Sequence, residues 1–429
     1  MNLKAWFQDR GLDFVGKRAV NLLDRYRLSP ARAIQRVESS LNMLISQDCR
    51  PTFPTPGLIV ERYPKVIRHL QDKGGEIAIH SYQHIDLNTL PVNQAYGQLI
   101  KAVDTFENRG IEVHGFRCPY LHFSNELLDA IPKGLFEYSS NKIISWNFDP
   151  GIRGQNGNRI AEILKRLYVS KPSADFISVP LERPNTLEIP ISSPDDMTLI
   201  DGLKYDPDET GWAWSQVLEQ THRRGELFNL IFHPELADRC EQAFREVIRQ
   251  AKQKHPSVWI ARLCDISEWW REKTGFRMDI TPLPTGLRLT FLCSPRATIL
   301  VRGFEYDGSR RAWDESYQRL LTRTLDVLAY PRPFVGLTSR APRETIAFLL
   351  AQGYILDLGQ TAHDCGIYLD EARLATLASE TRLIDFIETC ASPLVRYWRW
   401  PNGAKSAMSI TGDLDALSLW DYLSRLHIS

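Results

Sequence analysis

Two imidazoles four positions apart, His80 and His84 in His80-Ser81-Tyr82-Gln83-His84, follow the apolar run Glu76-Ile77-Ala78-Ile79. At the end of a strand, such a pair reaches a single metal ion. A zinc protease with this spacing carries a glutamate directly after the first histidine as its base, and here that position is Ser81. The base and the remaining ligand must therefore lie elsewhere in the chain.

The segment Ser409-Ile410-Thr411-Gly412-Asp413-Leu414-Asp415-Ala416 places two carboxylates two positions apart behind another apolar strand. Ligands sit at the carboxyl ends of strands in parallel α/β sheets and barrels. There the two carboxylates can divide the work, one binding a metal and the other taking a proton from polarised water. Two histidines with one aspartate leave a coordination position open, as catalytic zinc requires. The same set also suits iron or another divalent ion. Three further strand ends or turns carry polar groups: Gly115-Phe116-Arg117-Cys118-Pro119-Tyr120, Leu230-Ile231-Phe232-His233-Pro234-Glu235 and Asn147-Phe148-Asp149-Pro150-Gly151. Each has a plainer reading. Asp413 or Asp415 caps a helix starting near Leu417, Arg117 is a turn residue, and His233 is a satisfied strand-end histidine. Asp149 reads as a turn former, and Cys118 lacks an activating base.

The elements that must position these residues alternate. A helical stretch over 1–45 precedes a strand end at Thr52-Phe53, then a helix from Pro64 through Leu70 stopped by Gly74-Gly75. The strand 76–79, a helix near 93–109, the strand 112–116, a helix near 125–131 and the strand 136–139 follow. Further strands are expected at 176–179, 187–191, 228–232 and 258–262, with helices at 236–254 and 265–273. That alternation predicts an α/β fold with a largely parallel sheet or barrel. After Gly275 the texture changes to short strands at 278–280, 286–293 and 298–304, divided by prolines. A helix near 314–328, a strand 334–337, a helix 342–352 and a strand 354–358 complete this stretch. The expected division is a catalytic barrel from 1–274, a second α+β domain over 275–395, and a segment 396–429 that completes the barrel. Trp269-Trp270 and Trp398-Arg399-Trp400 read as core.

The 52 basic and 52 acidic residues balance, which gives no electrostatic case for nucleic acid or an anionic membrane as partner. No run is long and apolar enough for a membrane span, and no signal peptide is visible. Seven scattered cysteines suit a reducing compartment, so a cytoplasmic location is expected. The oligomeric state is not legible.

The motifs together resemble the polysaccharide deacetylase family, the NodB-homology, carbohydrate esterase family 4-like hydrolases and their amidohydrolase relatives. The family's Thr-Phe-Asp-Asp motif, or its Asp-x-Asp variant, resembles Thr411-Gly412-Asp413-Leu414-Asp415; its His-Ser/Thr-x-x-His motif resembles His80 to His84. Its Arg-x-Pro-Tyr motif is similar to Arg117-Cys118-Pro119-Tyr120, and its Leu-x-His motif to Ile231-Phe232-His233. The resemblance implies a distorted parallel (β/α) barrel, with Asp415, His80 and His84 holding a divalent metal, zinc first. It also implies Asp413 as general base, Arg117 orienting it, His233 as general acid, and the Tyr120 amide on the oxyanion. The family's Asp-Trp motif is not matched, since Trp146 and Asp149 come in reverse order. The family places its aspartate motif ahead of the histidines, whereas here it follows them by more than 300 residues, so a circular permutation with an inserted α+β domain is expected. The implied activity is metal-dependent N-deacetylation of an amino sugar or glycan-linked substrate. A small-metabolite amidohydrolase and a non-catalytic sugar-binding protein are the alternatives.

Overall fold

Short apolar runs bounded by glycine and proline become fully buried strands, and the most buried of them line up in parallel. The computed structural model describes residues 26, 28–147, 170–305 and 308–424. The expected helical stretch ahead of Ala31 and the turn at Asp149 lie outside them.

The main sheet is built from β1 (Thr52–Thr55), β2 (Glu76–Ile79), β3 (Gly115–Phe116), β4 (Tyr138–Ser139), β5 (Ile143–Ser145) and β6 (Ser170–Pro172). It continues with β7 (Leu181–Glu182), β8 (Leu187–Glu188), β9 (Ile191–Ser193), β10 (Leu227–Phe232) and β11 (Val258–Ile260). Three small sheets follow, made of β12 (Arg277–Leu283), β13 (Gly286–Leu292), β14 (Ile299–Arg302), β15 (Arg310–Ala312), β16 (Gln318–Leu320), β17 (Thr324–Val327), β18 (Arg332–Leu337), β19 (Leu356–Asp357), β20 (Cys365–Leu369) and β21 (Leu394–Tyr397). The last strand, β22 (Ser406–Gly412), returns to the main sheet.

The order there is β6-β5-β9-β10-β22-β1-β2-β3-β4-β8-β7, with β11 also on β22. Every ladder is parallel except β7 with β8. The sheet is thus mixed, and it curls into a half-barrel flanked by helices. The strand nearest the C-terminus lies at its centre: Phe232 of β10 faces Gly412, and Thr52 of β1 faces Thr411.

Helices α1 (Ala31–Ser46), α2 (Gly57–Arg62), α3 (Pro64–Asp72), α4 (Val92–Glu107), α5 (Asn125–Ala130), α6 (Pro207–Arg224), α7 (Ala237–Gln253) and α8 (Leu263–Thr274) accompany the main sheet. Their apolar stripes join the strands in one cluster that includes Leu41, Ile67, Leu99, Val217 and Val247. A second cluster packs Trp269, Trp270, Trp398 and Trp400 against Val335 and Leu349. All four tryptophans are buried core, as expected.

Several local expectations need correction. The stretch 314–328 is not a helix: it forms β16 and β17, whose residues 324–327 alternate exposed and buried, with Leu325 and Val327 inward. That period of two is a strand pattern. Residues 177–179 are buried but pair in no ladder: the Ile177 and Ser178 amides donate to the carboxylates of Glu380 and Glu226. Residues 187–191 divide into β8 and β9 around Pro190, which has no amide to give a ladder. Helix α6 was not anticipated. It opens on a capping box, Asp206 with Glu209, and closes on Gly225 at φ +69°.

Candidate active site

The carboxyl ends of β1, β2, β10 and β22 lie side by side, so the loops that leave them meet. Past Gly412 the chain splays between its two neighbours: the Asp413 amide donates to the Phe232 carbonyl at 3.0 Å, and the Leu414 amide to that of Pro54 at 2.9 Å. Gly412 permits this crossing. A Cβ there would stand 2.8 Å from the Phe232 ring and 3.0 Å from that of Phe53. Asp413 and Asp415 are thereby delivered to the edge where β2 ends in His80.

The histidine pair is carried on a turn, not a helix. Ser81 adopts φ +63°, and its carbonyl and that of Tyr82 accept from the Gly57 and Leu58 amides opening α2. His80 donates from Nδ1 to the Arg117 carbonyl at 2.8 Å, which fixes its tautomer because a carbonyl only accepts. In the neutral ring this leaves Nε2 as the lone-pair nitrogen, buried and aimed at the carboxylates. It lies 3.5 Å from Asp415 Oδ1, and His84 Nε2 lies 3.2 Å from the same oxygen.

These spacings suit a shared ion. Tetrahedral donors about 2.1 Å from zinc stand about 3.4 Å apart. The ligating atoms of His80, His84 and Asp415 all lie within 4.8 Å of one another, and the backbone carbonyl behind His80 is the usual support of a ligating imidazole. The residues present therefore fit a divalent metal.

Asp413 is held differently. Arg117 Nη1 donates to its Oδ1 at 2.5 Å and to Thr411 Oγ1 at 3.0 Å, while Oδ2 lies 4.0 Å from His80 Nε2. One carboxylate oxygen is tied down and the other faces the metal ligands. Arg117 itself is wholly buried.

His233 ends β10. Its Nδ1 meets Asp196 Oδ1 at 2.8 Å, and its backbone amide donates to Asp196 Oδ2 at 2.7 Å. Burial by itself favours the neutral ring. The charge and hydrogen bond of Asp196, helped by Glu235 and Asp415, outweigh it and hold His233 well above its ordinary range. In its charged form the ring, tied to Asp196 through Nδ1, carries its second proton on Nε2.

Asp196 is the site residue that sequence reading missed. It follows the end of β9 in Ser193-Pro194-Asp195-Asp196, another carboxylate behind a buried strand, and that was its available signal. Asp195, Asp196 and His233 form a second close cluster of possible ligands. Asp196 spends its carboxylate on His233, which makes it a partner of that ring.

Tyr120 sits on a tight turn at φ +60°, 47% exposed, with its ring 4.7 Å from that of His84. Cys118 is buried and its thiol is pushed up by burial, so it is no nucleophile. Glu235, also buried, accepts from the Tyr26 hydroxyl beside the site. The structure thus gathers Asp413, Asp415, His80, His84, Arg117, Tyr120 and His233 at one sheet edge.

The strand ends of the half-barrel thus converge on carboxylates and imidazoles. The polysaccharide deacetylase family model matches residues 33–134, a stretch containing His80, His84, Arg117 and Tyr120. Members of that family are hydrolases acting on amide bonds and generally use a divalent metal. A peptidoglycan deacetylase of Helicobacter pylori is 23% identical over 226 residues, covering 49% of this chain and 75% of that protein. A Mycobacterium smegmatis protein assigned as a polysaccharide deacetylase superposes with a TM-score of 0.45 at 21% identity, covering 57% of this chain and 79% of that one. The peptidoglycan deacetylase PdaC of Bacillus subtilis gives a TM-score of 0.32 at 15% identity, over 57% and 89% of the two chains. The site geometry stands apart from these distant structural likenesses.

Proposed function

We propose that the protein is a metal-dependent N-deacetylase of an amino sugar or glycan-linked substrate. The observation that carries this reading is the spacing of Asp415 Oδ1, 3.5 Å and 3.2 Å from the two imidazole nitrogens, beside a second carboxylate clamped by a buried arginine.

His80, His84 and Asp415 would hold the metal, zinc being the best match to two imidazoles and a carboxylate. When bound, it supplies Lewis-acid polarisation of water and of the substrate carbonyl. The remaining work falls to side chains. Asp413 takes the proton of the attacking water on Oδ2, since Arg117 holds Oδ1. The water oxygen bonds to the acyl carbon, and the Tyr120 backbone amide receives part of the oxyanion's charge. As the C–N bond breaks, His233 delivers its Nε2 proton to the departing amine, leaving acetate and the free amino sugar. Asp196 keeps His233 charged until then.

We read the strand order as a circular permutation of the motif order. Residues 1–274 and 396–429 would form the catalytic unit and 275–395 an accompanying one, which is reasonable because domain termini commonly lie near each other. A cytoplasmic substrate, such as a glycan precursor or glycolipid head group, fits the sequence features already described. Acetate release from a panel of N-acetylated sugars, run beside cyclic amides and imides, tests the substrate class. Turnover confined to the cyclic compounds would move the activity to the amidohydrolase reading.

A further inference from the structure

Arg117 clamps the proposed base, and what clamps Arg117 is a carboxylate two strands away. Its Nε donates to the Ser140 carbonyl at 3.1 Å and its Nη2 to the Ser140 hydroxyl at 3.1 Å. Ser140 belongs to the connection from β4 to β5, a short stretch with no helix or ladder of its own. Glu188 of β8, which faces Ser139 in the parallel ladder, holds that connection. One of its oxygens accepts the amides of Asn141 and Lys142, both at 2.6 Å, and the other accepts the Ser139 hydroxyl at 2.5 Å. Asn141, pinned this way, accepts the Cys118 amide at 2.6 Å, directly after Arg117. Glu188, Ser139, Ser140, Asn141 and Arg117 are all buried to about 1% exposure or less.

A buried carboxylate is costly unless it is saturated with donors, and apolar side chains would pack β8 as well. Here its donors are the Ser139 hydroxyl at the end of β4 and two amides of the connection that follows, and that connection grips Arg117. We infer that Glu188 is a positioning residue for the reaction, acting on Asp413 through the 139–142 loop and Arg117. This rests on the deacetylase reading of Asp413.

The test uses the full chain with zinc and an N-acetylated chitooligosaccharide, following acetate. Glu188→Ala should lower kcat on the order of 10–100-fold, as loss of a supporting hydrogen-bond partner does. KM should stay within about 2-fold, and zinc affinity should fall far less than kcat, because the loop reaches the metal ligands only through the Arg117 carbonyl that supports His80. Glu188→Gln keeps an acceptor for the two amides and should restore most of the rate. In an Arg117→Ala background, Glu188→Ala should cost nothing further. Full additivity with Arg117→Ala, or a zinc affinity falling as far as kcat, would overturn the inference. If Glu188→Ala does not fold, Ser140→Ala replaces it, and an unchanged kcat would be equally contrary. If the wild type binds zinc but releases no acetate from any substrate, the deacetylase reading fails separately. The Arg117 Nε–H resonance then decides: it should be protected from exchange in the wild type and in Glu188→Gln and lost in Glu188→Ala, and persistence in Ala contradicts the link.

Discussion

Each group at the site is set by one contact that a single substitution can remove. Asp196, facing His233 at 2.8 Å, favours the charged ring. Asp196→Asn should therefore bring the alkaline limb of the kcat profile to lower pH and reduce the rate at pH 8 more than at pH 6. An unmoved limb would mean that another group is the acid. Asp413→Asn removes the proton acceptor while leaving His80, His84 and Asp415 in place. It should lower kcat by about 10²–10⁴-fold with zinc stoichiometry unchanged; loss of the metal would instead make Asp413 a ligand. Most of the site was legible at this scale because strand-end residues of unusual type, the histidine pair and the two aspartates, stand directly behind buried apolar runs. Asp196 stood behind such a run too, but its neighbour Asp195 and the cap-like context hid it.

Elements deliver those residues, and their errors of reading are informative. β1, β2, β10 and β22 were visible as apolar runs because both faces are buried. Residues 176–179 look the same by composition, yet their amides are taken by Glu226 and Glu380, so burial alone did not make a strand. Helix α6 was hidden by a mixed composition, although Asp206, Pro207 and Glu209 mark its start. The delivery of Asp413 depends on the bare Cα of Gly412 under the rings of Phe232 and Phe53. Gly412→Ala should cost about 1–3 kcal/mol of stability, measured by urea unfolding, and weaken zinc binding as β22 shifts. Wild-type stability and affinity in that variant would show that the crossing has room to spare. The helix Leu419–Ser424 follows the site and is tied to α2 by Arg62, whose Nη1 reaches the buried Asp421 at 2.5 Å. Trp420 on it is 64% exposed.

At the scale of the molecule, distant segments close one sheet, so pH acts on the whole through groups buried at their joins. His222, near the end of α6, lies against Ser406 at the start of β22, its Nδ1 3.0 Å from the hydroxyl. Burial, then the charges of Lys405 and Lys254, bring it from 6.5 down to about 4. The unfolded chain therefore binds the extra proton between those values. This group's contribution is fully present above pH 6.5 and is lost as pH falls towards 4. Thermal melts should show Tm declining over that window, with the decline reduced in His222→Gln; an identical slope would assign it to other groups. Three independent stretches, 52–55, 76–84 and 406–415, meet here, and the sequence could indicate that meeting only through chemistry, since β22 enters the sheet after the whole of 275–395. The central claim is that Asp415 shares one ion with His80 and His84. Anomalous diffraction from zinc-soaked crystals tests it most directly. The account predicts a single strong peak about 2.0–2.2 Å from both Nε2 atoms and an Asp415 oxygen. A zinc ion bound elsewhere, or at the histidines with Asp415 turned away, would contradict it.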